Sequence, residues 1–169
     1  MLVYVLSTAK LDTLLVHASV VKNVNKGFAF LGKSGTGKST HSQLWLDYIV
    51  GSELLNDDNP VIRIIDGKAW VFGSPWSGKN PCYKNQNALL KGIVKLQQSS
   101  ENKIEKLSRL RSYAVMLPAC SCFRWENEIM TGVHNTIEKL VANVDCYQLA
   151  CLPDKEAVEL SYATVIKNQ

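Results

Sequence analysis

The chain has 169 residues, of which 46% are hydrophobic and 20% charged. This composition excludes a disordered chain or a fibrous repeat, and the length predicts that residues 1–169 form a single soluble domain. The net charge of +4 suits an anionic ligand without requiring one.

The cysteines and the first residues bear on the compartment. Five cysteines occur without paired C-x-x-C spacing, which predicts reduced thiols rather than a zinc site or a disulfide framework. Residues 1–21 are apolar, but Lys10 and Asp12 interrupt them and there is no basic leader. We therefore expect neither a signal peptide nor a membrane span, and a cytoplasmic protein.

The first half of the chain predicts a hairpin, a helix and a second hairpin. Residues 14–21 and 28–31 are rich in β-branched and apolar types and flank the turn sequence KNVNKG, which is typical of a β-hairpin. A glycine-rich loop then leads into HSQLWLDYIV, whose apolar residues recur at helical spacing. The short runs ELL, VIRII and AWVF predict one strand and then another hairpin.

The second half predicts two strands and three helices. Residues 91–96 and 146–152 are interpreted as strands, and residues 103–117 as a helix that stops at Pro118. Asn135 and Glu138 resemble a capping box before a helix, and Asp154 is placed to cap the last one. Together these elements predict an α/β domain with a mixed β-sheet. Three tryptophans are interpreted as core anchors, namely Trp45, Trp70 and Trp125.

The strongest motif is GKSGTGKST, which fits G-x-x-x-x-G-K-[ST]. Glycines let successive backbone N–H groups point at phosphate oxygens, and the following helix directs its positive end there. Lys38 is expected to contact the β- and γ-phosphates of ATP, and the Ser39 hydroxyl to bind Mg²⁺. The alternative is a glycine-rich turn with an incidental lysine. The predicted nucleotide-binding residues are Gly32, Lys33, Ser34, Gly35, Thr36, Gly37, Lys38, Ser39 and Thr40.

Two adjacent carboxylates, Asp57 and Asp58, follow the predicted strand at residues 53–55. Phosphoryl transfer needs one carboxylate to hold Mg²⁺ and another to accept the proton of a hydroxyl. Without the phosphate loop, the same residues are typical of a turn before Pro60.

His17 is the third candidate. A hairpin closed at Val24 and Asn25 places His17 opposite Gly32, and a turn shifted by one residue places it opposite Ser34. In both registers it borders the phosphate loop, where an imidazole can bind a second metal ion, orient a carboxylate or touch the transferred phosphoryl group. His41 and His134 are interpreted as structural.

The loop GSPWSGKNP has the glycine and proline punctuation of an ordered turn. Its Trp76 and Lys79 are candidates for contact with nucleotide or acceptor. A plain connecting turn explains the same residues equally well.

The order VHASVV, FLGKSGTGKST, LLNDDNPV resembles the kinase core of the HPr kinase/phosphorylase and phosphoenolpyruvate carboxykinase superfamily. The resemblance covers residues 14–75 and implies a P-loop fold of that type and a serine-kinase-like phosphotransferase. It implies that Asp58 and Ser39 coordinate Mg²⁺, or Mn²⁺ in its place, and that Asp57 assists proton transfer; which aspartate is the base stays open. His17 would assist the metal or the acceptor, as a catalytic residue beside Lys38.

Two family features are not found. No Glu-Val-Arg-Gly type signature occurs between residues 73 and 169, and no arginine cluster for oxaloacetate is recognisable. Activity on HPr and carbon-skeleton chemistry are therefore not expected. The resemblance is compatible with a homo-oligomer, but no interface motif is visible.

Three functions remain in competition. The first is a kinase that phosphorylates a hydroxyl of a protein, a peptide or a small molecule. The second is a nucleotide-binding regulatory domain without turnover. The third, nucleic-acid binding, rests only on the nine cations between Lys68 and Arg111, a pattern that a solvated surface also produces.

Overall fold

A computed structural model describes residues 1–78 and 81–167. The helices are α1 (Leu2–Thr8), α2 (Lys38–Tyr48), α3 (Arg109–Met116), α4 (Asn127–Asn143) and α5 (Lys155–Lys167). The strands are β1 (Thr13–Leu15), β2 (Ala18–Asn23), β3 (Lys26–Leu31), β4 (Ser52–Asn56), β5 (Val61–Ile65), β6 (Lys68–Phe72), β7 (Asn87–Gln98), β8 (Lys103–Lys106) and β9 (Cys146–Cys151). No helix within the described ranges is long and apolar enough to cross a membrane.

These strands form one mixed sheet in the order β1-β5-β6-β7-β3-β2-β4. The long strand β7 organises it: one edge pairs in parallel with β3, while the other edge pairs antiparallel with β6 and then in parallel with β9. β8 extends the sheet beyond β9. The prediction of an α/β domain with a mixed sheet is confirmed.

Side-chain alternation along the strands creates a core on each face of the sheet. In β3, Phe28 and Phe30 pack with Trp45 of α2 and with α5. Ala29 and Leu31, which point the opposite way, belong to the core that α3 and α4 cover. The central strands are therefore sandwiched between two helical layers, and β3 delivers the loop that follows it to the edge of the sheet.

The first hairpin has the first of the two predicted registers, with its turn at Val24 and Asn25. Ala18 pairs with Leu31 and Asn23 with Lys26. Val24 adopts a positive φ of 57°, an uncommon conformation for a β-branched residue. The tight two-residue turn requires it, and the register places the end of β3 beside the residues that precede β2.

The prediction of one helix over residues 103–117 is wrong. Residues 103–106 form β8, because their backbone groups pair with the exposed edge of β9. α3 begins only after Ser108, whose hydroxyl accepts a hydrogen bond from the backbone N–H of Arg111. The prediction that the helix stops before Pro118 is correct, because α3 ends at Met116 and a short 3₁₀ turn follows at Leu117–Ala119.

The predicted capping box at Asn135 and Glu138 is also wrong, since both residues lie in the middle of α4. This helix starts two turns earlier, and its buried face begins with Ile129 and Val133. The interpretation of Trp125 as a core anchor is wrong too, because Trp125 is 79% exposed, whereas Trp45 is fully buried. Trp70 is half-buried. Asp154 does cap α5, through a 2.9 Å bond from the backbone N–H of Ala157.

Candidate active site

The glycine-rich sequence forms the connection from β3 to α2. Gly35 and Gly37 adopt φ values of 82° and 107°, a region that side-chain-bearing residues rarely enter. Gly37 precedes the first residue of α2, and its carbonyl accepts the backbone N–H of His41 at 2.8 Å. The loop therefore curls over the N-terminus of α2, where unpaired N–H groups attract anions.

Lys38, the first residue of α2, is directed back across this loop. Its ammonium group donates to the carbonyl of Gly32 at 3.0 Å and to the carbonyl of Lys33 at 3.4 Å. It also lies 3.0 Å from Nε2 of His17. Only 8% of the surface of Lys38 is exposed. Its contacts hold the ammonium group between the loop carbonyls and His17.

His17 links the lysine to the acidic pair. Its Nδ1 lies 3.0 Å from Oδ1 of Asp58. Because an ammonium group has only donors, Nε2 accepts from Lys38, and a neutral ring then carries its proton on Nδ1 and donates it to Asp58. The backbone N–H of His17 is held by the carbonyl of Ala119 at 2.8 Å. His17 thus joins the glycine-rich loop to the turn after β4, and both of its ring nitrogens have a hydrogen-bond partner.

Asp57 has a different environment from its neighbour. It is 4% exposed, and its Oδ1 accepts a hydrogen bond from the Ser19 hydroxyl at 3.0 Å. The Ser19 hydroxyl has one proton, which it donates to that carboxylate. The Ser42 hydroxyl, 2.7 Å away, therefore donates to Ser19. A buried chain therefore runs from α2 through β2 to Asp57. In contrast, the Asp58 side chain is 30% exposed.

Asn56 holds the acidic turn in place. Its Oδ1 accepts the backbone N–H groups of Asp58 at 3.0 Å and Asn59 at 2.9 Å. Its Nδ2 donates to the Ser74 hydroxyl at 3.1 Å and to the Trp76 carbonyl at 3.0 Å. The fully buried amide thereby ties the carboxylates to the loop after β6.

Charge and burial act against each other at Lys38. Burial lowers the pKa of Lys38 below its ordinary value, while the carboxylates of Asp58 and Asp57 oppose that shift. Both carboxylates therefore lie near the ammonium group. An anion bound at the loop would favour the charged lysine further.

An open cleft also borders the glycine-rich loop. It has a volume of about 250 Å³ and contains Thr36, Thr40, Leu96, Gln98 and Leu152 along its wall. The Gln98 amide donates to the carbonyl of Gly35 at 3.3 Å. The cleft thus continues from the start of α2 toward the ends of β7 and β9.

The predicted residues are distributed unequally around this arrangement. Lys38, His17, Asp57 and Asp58 converge, with Gly32 contributing a carbonyl. Lys33, Ser34, Gly35 and Thr40 are exposed, and Thr36, Gly37 and Ser39 are half-buried. Trp76 joins the acidic turn through its carbonyl, whereas Lys79 lies outside the described residues.

Ser19, Ser42 and Asn56 were not singled out from the sequence. A signal for two of them exists: Ser19 follows His17 by two residues, and Ser42 follows Lys38 by one helical turn. The hydroxyl contact between them depends on how α2 packs against β2, which no local pattern predicts.

The donor set is compatible with a magnesium ion that is shared with phosphates. The described residues contain no group of three or more His, Cys, Asp or Glu side chains that could enclose a metal ion. Mg²⁺ beside a nucleotide is held by one or two carboxylates plus phosphate oxygens and water. The accessible carboxylate of Asp58 and the hydroxyl of Ser39 fit that chemistry. The two ring nitrogens of His17 are already engaged, which favours the orientation of a carboxylate over metal binding.

The chain resembles known proteins in structure but not in sequence. No protein-family model matches the chain, and no curated protein sequence matches it. Among solved structures, the chain is similar to the Hpr(Ser) kinase/phosphatase from Coxiella burnetii, with 11% sequence identity and a TM-score of 0.51. The match covers 91% of this chain and 88% of that one. At this identity, the similarity shows that the chain has the fold of an HPr kinase domain.

Proposed function

We propose that the protein is an ATP- and Mg²⁺-dependent phosphotransferase that transfers the γ-phosphoryl group to a hydroxyl acceptor. One observation carries the proposal: Lys38, His17 and Asp58 form a continuous chain of 3.0 Å contacts. These residues come from three separate motifs. Each motif alone has a structural explanation, but their contact assembles a phosphate-binding lysine with an oriented carboxylate.

Each residue has a role that follows from its surroundings. Lys38 and the backbone N–H groups of the loop bind the phosphates and stabilise charge on the transferred group. Ser39 and Asp58 are the residues that would hold Mg²⁺, which would supply positive charge to offset that of the phosphates. His17 orients Asp58 through its Nδ1 proton, in the way that outer partners orient metal-binding groups.

The cleft beside the loop is the proposed location of the ribose and base. Its lining includes Gly37 and Thr40, at the start of α2, and the apolar residues Leu96 and Leu152. Apolar walls with a few polar groups are typical of nucleotide pockets. We therefore expect nucleoside triphosphates to bind more tightly than inorganic triphosphate.

The first experiment measures phosphoryl transfer directly. The purified protein is incubated with Mg²⁺, γ-labelled ATP and a cleared cell extract, and the label is separated into macromolecules, small molecules and free phosphate. We expect label in an acceptor fraction with the wild type and its loss in Lys38→Ala. Free phosphate alone, or no turnover, would overturn the kinase proposal in favour of an ATPase or a nucleotide-binding regulatory domain.

A second set of variants separates the roles of the two aspartates. Asp57→Asn and Asp58→Asn are both expected to lower turnover by orders of magnitude while preserving much of the nucleotide affinity. The variant that also raises the Mg²⁺ concentration for half-maximal rate identifies the metal ligand, and we expect it to be Asp58→Asn. Wild-type rates in both variants would refute the assignment.

His17 is tested against a histidine outside the site. His17→Gln is expected to lower turnover because glutamine does not bridge Lys38 and Asp58 in the same geometry. His134→Gln, on α4, is the matched control and should retain the wild-type rate. Equal rates in the two variants would remove His17 from the proposed mechanism.

A further inference from the structure

A second cavity lies between α1, the β5–β6 hairpin and the loop after β6. It has a volume of about 300 Å³. Its main lining residues are Tyr4, Val61, Arg63, Phe72, Ser74 and Trp76. Trp76 is a residue predicted from the sequence to contact nucleotide or acceptor, and the cavity contains no residue of the glycine-rich loop or the acidic pair.

The cavity has a preformed apolar wall. The rings of Tyr4 and Trp76 meet edge to face with 5.5 Å between their centroids. Trp76 also packs with Phe72 against the buried residues Leu15 and Val61. Since both rings are supported by the core, a ligand does not have to order them on binding.

The same cavity borders the acidic turn. Val61 follows Asp58 by three residues, a separation of at most about 11 Å along an extended chain. In the loop after β6, Trp76 precedes Gly78 by two residues, and a Cβ on Gly78 would lie 2.8 Å from the carbonyl of Asp57 and 3.3 Å from Cβ of Asp58. Asn56 further ties the Trp76 carbonyl to this turn at 3.0 Å. A molecule in the cavity therefore lies within the length of a small metabolite from Asp58.

The electrostatics select the charge of the occupant. Of the described residues that line the cavity, Arg63 alone carries a charge, and it makes no ion pair with another residue in the described part of the chain. Burial raises the pKa of Tyr4, and the charge of Arg63 partly offsets the shift, so the phenol is a neutral hydrogen-bonding group beside a cation. Guanidinium groups bind carboxylates and phosphates through paired N–H donors.

We propose that this cavity binds the non-reacting part of a low-molecular-mass acceptor that carries an aromatic or apolar group and a negative charge. The inference rests on the proposed function and names the substrate class of the same site. The apolar group lies against Trp76 and Phe72, the negative group pairs with Arg63, and the hydroxyl extends toward Asp58. A volume near 300 Å³ is at the lower limit of small-molecule pockets, which matches a metabolite rather than a protein surface.

The binding test does not depend on turnover. The probe is 1-anilinonaphthalene-8-sulfonate, an aromatic anion whose fluorescence rises in apolar surroundings, and N-phenyl-1-naphthylamine is its uncharged counterpart. Arg63→Gln is expected to weaken binding of the anion about tenfold, because a charge-assisted contact is lost, and to leave binding of the neutral probe within about twofold. Arg109→Gln, which changes an exposed arginine on α3, is the matched control and should behave as the wild type. Equal affinity of Arg63→Gln and the wild type for the anion would overturn the proposal.

A second arm tests the link to the acceptor. In the labelled-extract experiment, Arg63→Gln and Trp76→Phe should lose label from the small-molecule fraction while their affinity for ATP stays at the wild-type value. Label that appears in the protein fraction, or that is unaffected by Arg63→Gln, would overturn the acceptor assignment. If the wild type binds the anionic probe through Arg63 but transfers no label to any acceptor, the proposed function fails, and this cavity is a ligand site without the assigned role.

Discussion

Replacing His41 with glutamine should remove a large part of the protein's sensitivity to acid. His41 lies on α2, only 3% exposed, and its Nε2 is 3.2 Å from the Ser161 hydroxyl. Ser161 donates to the carbonyl of Val158 and accepts from the Trp45 indole, so His41 must donate from Nε2. Burial lowers the pKa of His41 from 6.5 to about 4, because the charged form of the ring would lose its hydration in the core.

The sign and size of the effect follow from that shift. A histidine with a lowered pKa binds its proton more readily in the unfolded chain, so stability is lost as the pH falls from 6.5 toward 4. With about 1.4 kcal/mol for each pKa unit, the free energy of unfolding should fall by roughly 2 kcal/mol between about pH 7 and about pH 5 through His41 alone. Below the folded-state pKa, the loss approaches about 3 kcal/mol.

The assay is urea unfolding, followed by tryptophan fluorescence at several pH values in this range. His41→Gln has a lower stability at neutral pH through altered packing, but its curve should be flatter than that of the wild type by roughly 2 kcal/mol. His134→Gln, on α4, serves as the control and should keep the wild-type slope. Parallel curves for the wild type and His41→Gln would refute the reasoning.

Four further substitutions test the residues that hold the candidate site in place. Asn56→Ala should lower the free energy of unfolding by about 2–4 kcal/mol, because it leaves buried donors and acceptors without partners, and should reduce turnover; wild-type stability in urea would contradict this. Ser19→Ala should destabilise the fold by about 2 kcal/mol, and more than Ser42→Ala, since Ser19 donates directly to the carboxylate of Asp57 whereas Ser42 contacts Ser19; equal effects of the two would show that the hydrogen bond from Ser19 contributes nothing. Gly37→Ala has open space for its methyl group but a φ of 107°, so strain should weaken ATP binding at least about fivefold by calorimetry, and an unchanged affinity would remove the argument from backbone conformation.

The parts of the fold that were predicted correctly are governed by neighbouring residues. The hairpin at residues 18–31 follows from alternation and a two-residue turn, and its register places His17 next to the end of β3. The cap of α5 at Asp154 similarly depends on groups three residues apart. Such short-range signals are present in the sequence before any tertiary contact forms.

The errors concern elements whose boundaries are set by distant partners. Residues 103–106 have a helical pattern, yet they form β8 because the edge of β9 offers backbone hydrogen bonds. The apolar spacing of α4 begins before Asn135, and packing on the sheet extends the helix back to Asn127. Trp125 has the composition of a core residue, but the turn before α4 leaves it on the surface.

The sequence by itself determined the order strand, glycine-rich loop and helix, the adjacency of the two aspartates, and the position of His17 beside the loop. Only the tertiary structure decided that Lys38 contacts His17, that His17 contacts Asp58 rather than Asp57, and that Asp57 is buried beneath Ser19. The physical reason is the range of the forces. Turns, caps and periodicity act between residues a few positions apart, whereas burial and side-chain hydrogen bonds depend on how β2, β4 and α2 pack together.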